Sequence, residues 1–88
     1  MSPPDDADLR QWLDLSEQYT HLLVANRGNQ ATPERSAAME RMREGQIFPL
    51  WDRLLTRYRR EQLDAWYNDR CAAILGRTYV RHATKGGR

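Results

Sequence analysis

Apolar residues in this chain recur at three- and four-residue steps and nowhere alternate, so the pattern predicts helices and no strands. Leu9, Trp12, Leu15, Tyr19, Leu22 and Leu23 gather on one half of a helical wheel, with Leu13 at its edge. Arg10, Asp14, Glu17, Gln18 and His21 fill the other half. Asp5, Asp6 and Asp8 stand where a helix N-terminus favours negative charge, which gives a first helix over about 6–27. Gly28 is the expected left-handed residue at its end, because without a Cβ it tolerates positive φ.

Thr32-Pro33-Glu34 opens a second helix over about 33–45. Threonine can accept a bond from a free backbone N–H there, and proline at the first helical position gives up none. Pro49 then interrupts the pattern, since its ring clashes with the carbonyl four residues back, that of Gly45. Two outcomes are open: a short break between Gly45 and Phe48, or one long kinked rod. No good cap residue precedes Pro49, which favours the kink or a one-turn irregularity. Ile47, Leu50, Trp51, Leu54, Leu55 and Tyr58 continue on one face, and the last helix is expected over about 47–75. The pairs Arg57/Glu61 and Arg60/Asp64 support it, with Gly76 as its cap.

Past Tyr58 this helix reads as apolar on two sides. Ala65, Trp66, Ala72 and Ala73 extend the first stripe, while Leu63, Tyr67 and Ile74 fall roughly opposite. A chain of 88 residues buries only about 60–65% of its unfolded surface and has little core to spare. The expected fold is therefore an all-α hairpin or small bundle of two to three helices. Residues 1–76 form one domain and 77–88 a basic tail, and the second stripe is covered by a homodimer, a higher homo-oligomer or another protein. Leu63, Trp66, Tyr67 and Ile74 are the candidate partner contacts, because tryptophan and tyrosine anchor interfaces, with Arg59 and Arg70 as rim charges.

Cys71 is the sole cysteine, so no intrachain disulfide forms, and no Cys/His cluster is spaced to hold zinc. The free thiol and the lack of a long apolar run point to a soluble, cytoplasmic protein without a membrane span. The net charge of +2 conceals a split. Residues 1–26 carry five acids and one base, a balance of −4; the remainder carries thirteen bases and seven acids, a balance of +6. Arg77, Arg81, His82, Lys85 and Arg88 close the chain with no acid among them.

Catalytic signatures are sparse. Glu17 and His21 lie one turn apart on the polar face of the first helix, which reads as a solvated pair, and Arg70 beside Cys71 in sequence points elsewhere on a helix. No phosphate loop, HExxH or GxSxG occurs, and no cofactor or metal is implied. Leu9-Arg10, Arg27 and Leu63-Asp64-Ala65-Trp66-Tyr67 resemble segments of the small all-helical chorismate mutases, intertwined dimers whose arginines hold a dicarboxylate. That resemblance would bring Arg10 and Arg27 to one pocket. The family's lysine late in the first helix, its glutamate on the second and its glutamine on the third have no counterpart here, so what is shared is helical grammar. The sequence thus reads as a non-enzymatic protein-interaction module: an adaptor, an assembly factor or a small inhibitor, such as phages and plasmids encode. The alternative is a nucleic-acid-binding accessory protein that uses the arginine-rich helix and the tail residues Arg77, Arg81 and Lys85.

Overall fold

The computed structural model describes residues 2–76, and the tail lies outside them. Four α-helices make up this part: α1 (Ala7–Ala25), α2 (Pro33–Met42), α3 (Phe48–Leu54) and α4 (Arg60–Leu75). A π-helical turn at Arg43–Ile47 fuses α2 and α3 into one rod, so three helical bodies result and the fold is all-α. No described helix is long and apolar enough to cross a membrane.

Each start is set by local chemistry. The Asp6 carboxylate accepts the backbone N–H groups of Asp8 and Leu9 at 3.0 and 3.4 Å, which caps α1. Thr32 Oγ1 accepts the Arg35 N–H at 3.1 Å, and Pro33 takes the first position of α2. The end of α1 differs from expectation. Asn26, not Gly28, terminates it, and Gly28 takes its positive φ (+50°) at the start of a 3-10 turn, Gly28–Gln30. Asn26 fixes the corner because its amide spans both sides: Oδ1 accepts the Thr32 N–H at 2.9 Å, and Nδ2 donates to Ser36 Oγ at 3.1 Å.

At Pro49 the rod neither breaks nor stays regular. The Phe48 N–H reaches back five residues to the Arg43 carbonyl, so the turn is one residue wider than an α-turn. Widening makes room for the proline ring, which in a regular helix would strike the Gly45 carbonyl.

The expected helix over 47–75 is two helices. Its first part ends at Leu54, and residues 55–59 turn the chain back before α4 begins. Arg57 therefore lies outside α4 and cannot make the expected helical pair with Glu61. It faces Asp6 and Asp8 instead, at 3.2 and 3.1 Å. Arg53 adds a 3.4 Å contact to Asp8, and the Tyr58 hydroxyl donates to Asp6 at 2.9 Å. At mid-helix the Arg70 guanidinium grips Asp14 at 2.5 Å and Glu17 at 2.6 Å. The acid-rich first helix and the base-rich remainder are thus two halves of one lattice of ion pairs.

These contacts fix the topology. The rod starts at the C-terminal end of α1 and ends beside its N-terminus, so the two are antiparallel. From Tyr58, beside Asp6, α4 runs back along α1, where the Tyr67 hydroxyl lies 3.1 Å from Thr20 Oγ1. The first helix is the centre, with the rod on one flank and α4 on the other. Leu9, Trp12 and Leu13 of α1 pack with Leu50 and Leu54 of the rod and with Leu63 and Trp66 of α4 to form the core.

Candidate functional site

Most of the residues nominated from sequence as a partner contact lie elsewhere in the fold. Leu63 and Trp66 are inside: Leu63 is fully buried, and Trp66 stands edge-on to Tyr58 with ring centres 5.3 Å apart. Among the described residues the buried Trp66 Nε1 has no hydrogen-bond partner, so the ring is held for its apolar bulk. Arg70 is engaged by Asp14 and Glu17, whose carboxylates raise its already high pKa. Arg59 is exposed at the start of α4, where its backbone N–H donates to Gln62 Oε1 at 3.0 Å. Ile74 and Tyr67 are half-buried.

The reason is the reversal at 55–59. A wheel drawn through it merges two helices that have different axes, and their separate faces look like two stripes on one. Within α4, Leu63, Trp66, Tyr67 and Cys71 follow a single face, and that face packs within the chain.

The apolar surface left open lies elsewhere. Trp12, Ser16, Tyr19 and Leu23 of α1 form the floor of a groove, at successive four-, three- and four-residue steps. One wall is the rod, through Arg43 and Ile47 of the π-turn and through Phe48 and Trp51; the other is α4, through Tyr67 and Leu75. Arg27 closes the end beyond Leu23. The cavity measures about 430 Å³. Phe48 is 49% exposed and Leu23 37%, and they are two of the three large apolar side chains that the described residues leave exposed.

No family model, no curated protein and no solved structure matches this chain.

The aromatic floor is closely packed. Trp12 packs against Trp51 at 5.5 Å and against Tyr67 at 6.3 Å, so one ring from each helical body meets here. Thr20 Oγ1, fully buried beneath, donates to the Ser16 carbonyl at 2.7 Å. Arg43 Nη1 donates to the Tyr19 hydroxyl at 3.1 Å, which raises the arginine's pKa further, and its Nη2 lies 3.8 Å from Glu44. Arg27 has no ion-pair partner among the described residues. Among the described residues the groove's lining contains no carboxylate, histidine or cysteine.

Other sequence candidates are dispersed. Arg10 pairs with exposed Asp5 near the start of α1, and Arg27 lies past its other end, beyond the roughly 22 Å of helix from Arg10 to Ala25 at 1.5 Å per residue. Within one chain the two arginines do not share a pocket. Glu17 is tied to Arg70, and His21 is exposed. The Cys71 thiol is buried and its pKa is pushed up by desolvation. Arg53 and Arg57, of the arginine-rich stretch considered for nucleic-acid contact, are engaged by Asp6 and Asp8. Arg77, Arg81 and Lys85 lie outside the described residues.

The sequence did not single out the groove. Leu23 and Ile47 read as ordinary stripe members and Phe48 only as the edge of a possible break, whereas in the fold Leu23 and Phe48 are exposed and Ile47 is half-buried beside them. Pro49 was the one available signal, because it demanded an irregularity beside them.

Proposed function

We propose that this chain is a non-catalytic protein-interaction module, cytoplasmic in setting, that receives another polypeptide in the groove between the rod and α4. The observation that carries the reading is the groove itself. An open, aromatic-floored channel of about 430 Å³ runs along a small domain whose remaining large apolar side chains are mostly covered. Among the described residues its lining offers guanidinium and hydroxyl groups but no paired base and nucleophile, which suits recognition better than turnover. The π-turn supports the same reading, because such turns concentrate at functional positions and this one supplies two of the lining residues.

Photo-crosslinking tests it in cells that express the protein. A benzophenone side chain at position 48 should give discrete adducts, while one at exposed Ala37, outside the groove, should give few. Equal labelling from both positions would overturn the assignment.

A further inference from the structure

The groove has the dimensions of a helix seat. From Trp12 to Leu23 its floor follows α1 for eleven residues, about 16 Å at 1.5 Å per residue, with the rod on one side and α4 on the other. Three helices arranged so that a fourth would complete the packing are the ordinary geometry of a bundle. The occupant of such a channel presents apolar residues at i, i+3, i+4 and i+7.

Charge narrows the choice further. Arg27 and Arg43 line one end, Arg43 with Glu44 3.8 Å from it, and among the described residues no carboxylate lines the groove itself. The chain's own tail carries Arg77, Arg81, Lys85 and Arg88 without an acid, the same sign of charge as Arg27 and Arg43, so it does not complement them. A second copy fits poorly as well: the carboxylates of α1 are engaged by Arg53, Arg57 and Arg70. The exposed Glu40 and Glu44 of the rod flank Ala37, Arg41 and Gly45, and the exposed Asp52, Glu61 and Asp69 stand beside Leu55, Ala65 and Ala73, neither of which is a stripe of large apolar residues.

We propose that the groove binds an acidic amphipathic helix of another protein, its apolar residues on the Trp12–Leu23 floor and its carboxylates against Arg27 and Arg43. The proposal rests on the interaction-module reading and adds the chemistry of the partner.

A displayed library of sixteen-residue helical peptides, selected on the full chain and counter-selected on Phe48→Asp and Leu23→Asp, tests both at once. Both variants change exposed side chains, and a circular-dichroism melt checks that each is folded. The expected result is groove-dependent enrichment of peptides with apolar residues at helical spacing and an excess of Asp and Glu. A synthetic peptide from that pool should bind Arg27→Glu or Arg43→Gln at least tenfold more weakly than the parent, with affinity falling as salt rises. Groove-dependent peptides that are neutral or basic would overturn the acidic helix and leave the interaction module standing. No preference for the parent chain over the two variants would overturn both. A dimer by light scattering that Phe48→Asp dissolves would make a second copy the occupant, and the proposal would fall.

Discussion

Leu63 and Phe48 show how far one side chain's role depends on which way its helix faces. Both are large and apolar, yet Leu63 has no exposed surface and Phe48 keeps about half of its own. Truncating Leu63 to alanine removes buried methyl groups and leaves a cavity, so Leu63→Ala should cost about 2–5 kcal/mol in a urea titration. Phe48→Asp should stay within about 0.5 kcal/mol of the parent, because nothing in the core relies on it. If the two costs come out equal, this division between core and groove is wrong. Cys71 makes a second case at this scale. Burial raises its pKa and leaves no path for reagent, so a thiol reagent should label the native chain only as fast as the chain opens, and at once in denaturant.

At the scale of elements, the sequence carried the helices better than their ends. The α1 stripe and the Thr32-Pro33 start were readable because they rest on local geometry: a 3.6-residue period, a side-chain cap and a proline without an N–H. The irregularity near Pro49 was readable for the same reason. The reversal at 55–59 was not, because Arg57, Tyr58 and Arg59 are common inside helices and Arg57 had plausible partners in either arrangement. What places the turn is long-range: Arg57 and Tyr58 reach Asp6, some fifty residues earlier in the chain. The groove depended on that turn and was hidden with it. The π-turn itself can be tested through Gly45. Its φ is not positive, and a Cβ built there meets nothing within 4 Å, so Gly45→Ala should stabilise the rod by about 0.5–1 kcal/mol. A loss on thermal melting would mean that the turn needs glycine's freedom.

Over the whole molecule, the divided charge of the chain becomes a clamp. Asp6 titrates below the usual carboxylate range chiefly because the Tyr58 hydroxyl donates to it, and Asp8 does so chiefly because Arg53 and Arg57 donate to it. Carboxylates whose folded pKa lies below the unfolded value stabilise the fold fully above about pH 4–5, and that share is lost as pH falls through the folded values. The melting temperature should therefore hold steady above about pH 5 and drop towards pH 2. Asp8→Asn should melt lower at neutral pH and show a shallower acid decline. A melting temperature that does not change with acid would show that these ion pairs decorate the surface without helping to hold the rod against α1.

The widened turn at Arg43–Ile47 also bears on how this shape could be gained or lost. Five residues do there what four do elsewhere in the rod, so the bulge amounts to one surplus amino acid. Removing the codon for Gly45 and replacing Pro49 with alanine would let an uninterrupted spiral form while the flanking segments kept their register. The resulting protein should fold much as its parent does, but with Ile47 and Phe48 drawn into line and the channel's rim flattened. In a chain of this kind, a capacity to recognise another molecule could appear or vanish through one codon deletion and one substitution, with the architecture around it undisturbed.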